Sequence, residues 1–159
     1  MTTLNSQQIA EYFRRSYTTA DGLWFMKVEE KYGFEAALEV DDEVWKVLPK
    51  IQARLIKKFL NLKSGPEDLL KGLKAKLELE GFKFTAEKTA NGFQIFVTDC
   101  PWHNLMIKSG REHLAEKVGK KICSTEYRVW VSELAKDMKF MLRAQKCGKS
   151  DSCILEFVG

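Results

Sequence analysis

At Gly81 the apolar period of this 159-residue sequence changes. Upstream, hydrophobic residues recur every three or four positions, which is the signature of helices that bury one face. Downstream, Phe82-Lys83-Phe84-Thr85-Ala86-Glu87 and Phe93-Gln94-Ile95-Phe96-Val97-Thr98 read as strands, with Asn91-Gly92 between them as a hairpin turn signal. A chain that switches period once, and does not alternate strand with helix, points to α+β: N-terminal helices followed by ββαββ with an antiparallel sheet.

Within the first 80 residues Ser6 is a candidate cap for a helix carrying Ile9, Tyr12 and Phe13, and Asp21-Gly22 marks a break before a second helix that Gly33 ends. Phe34 to Val40 and Asp42 to Leu62 read as two more helices. The latter carries Val44, Val47, Leu48, Ile51, Leu55 and Phe59 as its expected core stripe, and Pro49 either kinks it or begins a new helix. Leu69, Leu70, Leu73 and Leu77 define a short helix after Ser64-Gly65-Pro66. Beyond the first hairpin, a helix is expected over residues 114–134, then β-like runs over 138–145 and 154–158. The length fits one domain, 1–159, with a helical half (1–80) and a ββαββ half containing all the cysteines (81–159), standing alone or as a homodimer.

Of the residues, 45% are hydrophobic and 30% charged, enough apolar surface for a packed core. The net charge is +4, but basic residues sit beside acidic ones, as in Lys27-Val28-Glu29-Glu30-Lys31, which describes solvated helix faces and not a nucleic-acid footprint. No apolar run approaches the roughly 18 residues of a membrane span, and Met-Thr-Thr-Leu-Asn-Ser has no secretory character, so the expected compartment is the cytoplasm.

The chemistry concentrates in Cys100, Cys123, Cys147 and Cys153, with no cysteine among the first 99 residues. Cys147 and Cys153 flank the turn between the last two strands, where hairpin geometry brings them together. Cys100 follows the second strand, and Cys123 lies in the helix. Four thiolates suit tetrahedral zinc or an iron–sulfur cluster. The spacing lacks a C-x₂-C knuckle, so separate core thiols and a disulfide or redox pair are the competing readings.

Other groups are weaker candidates. Glu29 and Glu30 follow an apolar segment, and either one facing a cavity with Trp24 would suit acid–base work; the plain alternative is exposed carboxylates in helix charge pairs. Asp21 reads as an N-cap and His113 as a surface residue. His103, three residues after Cys100, fits a Cys/His nucleophile pair, a further metal ligand or a satisfied histidine. Gly148-Lys149-Ser150 is not a P-loop, because Arg143 stands where that motif needs glycine. The scattered tryptophans, Trp24 and Trp102 among them, are expected as core or as walls of a small-molecule pocket.

Cys123 and the hairpin Cys147-Gly148-Lys149-Ser150-Asp151-Ser152-Cys153 resemble the 4-vinyl reductase type of small-molecule-binding domain, whose members often hold zinc through cysteines on such a helix and hairpin. That family commonly has a carboxylate three residues before the first hairpin cysteine. Ala144 stands there in this chain, and the resemblance implies Cys100 as the replacement ligand. Through Gly22-Leu23-Trp24-Phe25, Val28-Glu29-Glu30-Lys31-Tyr32-Gly33 and Cys100-Pro101-Trp102, nearly the whole chain also resembles a family of anaerobic prokaryotes related to the L-2-amino-thiazoline-4-carboxylic acid hydrolases. Together these imply a small-molecule-binding protein with a cysteine-held zinc or iron–sulfur site. The alternative is a hydrolase of a small C–N or C–S bonded substrate, using a cysteine nucleophile or a metal-bound water.

Overall fold

The computed structural model describes residues 3–159, in two compact units that divide at Asp41/Asp42. The first unit contains helix α1 (Ser6–Tyr32) and the start of α2 (Phe34–Phe59). Asn5, not Ser6, caps α1: its Oδ1 accepts the Gln8 N–H at 2.9 Å while Gln8 Oε1 accepts the Asn5 N–H at 3.0 Å. The helix runs unbroken through Asp21-Gly22, where two helices were expected. Mid-helix aspartate and glycine cost at most about 1 kcal/mol each, less than a second costly helix nucleation. Gly33 does end it, with φ at 88° and its N–H bonded to the Glu29 carbonyl at 2.8 Å. Phe25 is buried and meets the Phe34 ring at 5.9 Å.

Helix α2 is likewise one helix where the pattern suggested two, since Val40-Asp41-Asp42 contains neither glycine nor proline to stop it. Pro49 is accommodated inside it and forgoes the bond to the carbonyl four residues back. The expected core stripe is also displaced. Trp45, Ala53 and Ile56 are buried, whereas Val44, Val47, Ile51, Leu55 and Phe59 are exposed. Both faces are apolar, and the one carrying the small Ala53 joins the core cluster, because alanine allows close approach.

In the second unit, α3 (Pro66–Glu80) starts with proline at its first turn, where a missing N–H costs nothing, and buries Leu69, Leu73 and Leu77 completely. Strands β1 (Lys83–Thr89), β2 (Gly92–Asp99), β3 (Lys139–Ala144) and β4 (Cys153–Val158) form an antiparallel sheet in the order β1-β2-β4-β3. The fold is therefore α+β. Between β2 and β3 lie α4 (Pro101–Lys108), which the period did not reveal, and α5 (Glu112–Leu134). Tyr127, Trp130, Val131 and Leu134 of α5 join Phe93, Ile95 and Val97 of β2 and Leu155 and Phe157 of β4 in one core. Among the described residues no helix is long and apolar enough to cross a membrane.

The first hairpin turns one residue earlier than Asn91-Gly92 suggests. Thr89 pairs with Gly92, so Ala90 and Asn91 form the loop and Gly92 opens β2. Glycine is needed there for another reason: a Cβ would fall 2.0 Å from the Phe157 carbonyl oxygen of β4. Gly92→Ala is expected to destabilise the fold by at least about 2 kcal/mol, as a backbone clash inside the sheet must be relieved by separating β2 from β4. Urea unfolding measures this, and a change within about 0.5 kcal/mol would refute the close approach.

Candidate metal centre at the cysteines

Four elements bring the thiols to one end of the sheet. Cys100 leaves β2 and occupies the N-cap position of α4, with Pro101 next. Cys153 opens β4 opposite Val97 of β2. Cys147 lies in a 3₁₀ turn, Lys146–Gly148, between β3 and β4, and Cys123 sits on α5. All four are free thiols. They share one electrostatic neighbourhood: Cys123 senses Cys100 and Cys153, Cys100 senses Cys153, and Cys147 senses Cys153. Among the described residues, no three His, Cys, Asp or Glu side chains are already disposed around a point that could hold a metal ion.

Two opposing influences act on the sulfurs. Burial disfavours the thiolate and pushes Cys100 up to about 12, with Cys123 well above, and Cys147 and Cys153 also above, the ordinary thiol range. Against burial stand the nearby backbone amides of Trp102 and His103 at Cys100, those of Cys147 and Gly148 at Cys147, and the Lys146 N–H, which donates to Cys153 Sγ at 3.2 Å. Such donors favour a sulfur that carries negative charge. Burial prevails, and the thiols stay protonated.

Gly119 explains how the hairpin turn reaches α5. A Cβ there would lie 3.5 Å from Cys147 Sγ and 3.1 Å from Gln145 Nε2, so the missing side chain is the space the turn occupies. Gly119 and Cys123 are one helical turn apart and share that face of α5. Gln145 Nε2 in turn donates to Cys147 Sγ at 3.6 Å. The period of α5 was legible in the sequence, but Gly119 as the docking notch was not.

Beneath the thiols lies a buried charge cluster that the sequence reading missed. Lys76 of α3 is 2% exposed and meets Glu80 at 3.0 Å and Glu126 of α5 in close ion pairs. Its ammonium stands 5.3 Å from the Phe82 ring and 5.5 Å from the Tyr127 ring. Burial alone would lower the lysine pKa, but Glu126 and Glu80 outweigh it and raise it well above the usual value. Lys76 is therefore a charged group, unsuited to act as an amine nucleophile.

A family model described as a family of unknown function (DUF6125) matches residues 4–157. The chain belongs to this family. No curated protein and no solved structure matches it.

The remaining candidates of this DUF6125 chain are divided between the units, Trp24, Glu29 and Glu30 in the first and Trp102 and His103 in the second. Trp24, expected at a pocket wall, is 42% exposed on α1 in the first unit. Glu30 is also exposed and pairs with Lys27 at 2.8 Å, the plain charge pair and not an inward carboxylate. Glu29 is half-buried, and its carbonyl serves the Gly33 cap. Trp102 is half-buried and meets Trp45 edge-on, with ring centroids 5.7 Å apart. His103 lies beside Glu112 at 4.0 Å, with a buried Nε2 that has no hydrogen-bond partner, while its backbone rather than its ring serves Cys100.

Two outcomes follow. Lys76→Met leaves Glu80 and Glu126 buried without their counter-charge, which should cost about 3–5 kcal/mol in urea unfolding at pH 7, with partial recovery when Glu126→Gln is added; equal stability of Lys76→Met and the wild type would refute the ion-pair assignment. The second concerns pH. A thiol whose folded pKa is raised contributes stability that is complete below its unfolded pKa, 9.0, and is lost as pH rises toward its folded value near 12. In reducing buffer with chelator, the melting temperature should thus fall more steeply between pH 9 and 11 for the wild type than for Cys100→Ser, and parallel curves would contradict the buried-thiol assignment.

Proposed function

We propose that this chain is a metal-binding domain in which Cys100, Cys123, Cys147 and Cys153 take up zinc or an iron–sulfur cluster. The observation that carries the reading is the gathering of four thiols at one end of the sheet, with the Lys146 N–H donating to Cys153 Sγ at 3.2 Å and the amides of Trp102, His103 and Gly148 near Cys100 and Cys147. Amides directed at sulfur do little for a neutral thiol but stabilise a thiolate, and a bound cation supplies the charge that reverses the effect of burial. Lys146–Gly148, β4, α4 and α5 would then be tied at one point. With all four thiolates engaged by zinc the site is closed and stabilises the fold, whereas a cluster adds redox or sensing chemistry. The likeness of Cys123 and the Cys147–Cys153 hairpin to small-molecule-binding domains adds a small-molecule ligand to this reading.

A thiol hydrolase built on Cys100 fits the geometry less well. Nucleophilic cysteines need a depressed pKa and an adjacent base. Here burial raises the Cys100 pKa, and the His103 side chain is turned to Glu112.

Purification without oxygen, followed by zinc, iron and acid-labile sulfide analysis and a visible spectrum, tests the proposal. Expected is either one zinc per chain in colourless protein or iron with matching sulfide in brown protein, lost in the Cys147→Ser/Cys153→Ser variant. Binding must expel the thiol protons, so apparent affinity should rise with pH between about 6 and 9. Protein that stays metal-free even after anaerobic reconstitution with excess zinc, or with iron and sulfide, would sink the reading.

A further inference from the structure

Helix α2 is apolar on two sides. At about 100° per residue, Trp45, Pro49, Ala53 and Ile56 share one face, and all four are buried. Val44, Val47, Ile51, Leu55 and Phe59 share a second arc, about 120° wide. These five remain 38%, 55%, 58%, 49% and 67% exposed. A helix packed on one side normally presents polar residues to water on the other. Five apolar side chains spaced 3, 4, 4 and 4 residues apart instead leave a contiguous patch on the order of 400–500 Å², a size at which folded chains usually place an interface.

We propose that this face joins two copies of the chain, through antiparallel α2 helices related by a two-fold axis near Ile51. The sequence of the stripe is complementary to its own reverse. About Ile51, Val47 comes opposite Leu55 and Val44 within one residue of the level of Phe59, so that on either side of the axis a small side chain faces a larger one. Charge supports the same orientation. Glu43 stands at the N-terminal end of the stripe, and Lys57 and Lys58 stand at its C-terminal end. An antiparallel pair brings Glu43 of each copy to the two lysines of the other, at both ends of the contact. A parallel pair would set like charges side by side. An open hollow lined by Arg54, Lys57, Lys58, Asn61 and Leu62 borders the C-terminal end, giving the acidic end of the second helix a basic place to sit. Together with the aliphatic stems of Lys50, Arg54 and Lys58, the contact covers roughly 600–800 Å² per copy, close to the approximately 800 Å² of a specific dimer.

Sedimentation equilibrium and light scattering of the full chain test the proposal. The wild type is expected at twice the chain mass at tens of micromolar, and Ile51→Glu/Leu55→Glu is expected to be monomeric with an unchanged helix signal, a loss of at least about 100-fold in dimer affinity from burying like charges on the axis. Glu43→Lys should weaken the dimer, and adding Lys57→Glu/Lys58→Glu should restore it. Because the double glutamate variant could itself misfold, cross-linking gives a second readout. Ile51→Cys should form a disulfide-linked dimer across the axis, whereas Val44→Cys should link only to a Phe59→Cys copy. A wild type that stays monomeric at 100 μM, a dimer indifferent to the Ile51→Glu/Leu55→Glu change, or a dimer in which Val44→Cys links to itself and Ile51→Cys does not would overturn the proposal.

Discussion

The buried ammonium of Lys76 sets the relative positions of the helices in the larger unit. An ion enclosed in a protein interior costs several kcal/mol unless opposite charge meets it with good geometry. Here the opposing carboxylates come from two elements, Glu80 one turn along α3 and Glu126 on α5, and Gln52 of α2 donates to Glu80 at 3.3 Å. Hydrophobic contacts between helices tolerate sliding, because one leucine can substitute for another. A charge triad does not, and a shift of α5 by one turn would leave a carboxylate enclosed without a partner. The faces of Phe82 and Tyr127 complete the enclosure.

That constraint extends to the cysteines. Glu126 and Cys123 are three residues apart and share one face of α5, so the register that satisfies Lys76 also decides where the Cys123 thiol points. One turn earlier, Gly119 admits the Lys146–Gly148 turn, and with it Cys147. The sulfurs therefore stand on elements whose positions are fixed by interactions other than their own. For the proposed metal site, elements fixed beforehand in this way would spare binding the cost of ordering the chain. The Cys100 thiol also sits at the start of α4, where the Trp102 and His103 amides have no intrahelical partner and favour a charged sulfur nearby.

Much of the fold is legible in the sequence because the strands β2 and β4 alternate inward and outward residues, and the leucines of α3 keep helical spacing. The cysteines too could be gathered into one neighbourhood from the ββαββ order alone. Legibility fails where two local patterns compete. Asn91-Gly92 has the composition of a turn, yet the pressure of the Phe157 carbonyl puts Gly92 in the strand. Helix α2 presents two apolar stripes, and periodicity cannot say which one the core will take. Asp21-Gly22 and the Val40–Asp42 junction show that a weak breaker does not end a helix already nucleated on both sides. Lys76 was invisible for a different reason: a lysine in an amphipathic pattern reads as solvated, and only the tertiary fold reveals the two glutamates that meet it.

The strand order has a consequence for how the chain is made. Strand β4 follows β3 in the chain, yet it lies between β2 and β3. While residues 153–158 are still within the ribosome, β3 has no neighbour to pair with, one side of β2 is open, and Cys153 has not reached the other thiols. The nascent larger unit can form its helices and first hairpin before that segment emerges, but its sheet closes only once β4 is available, and the open strand edges need protection until then.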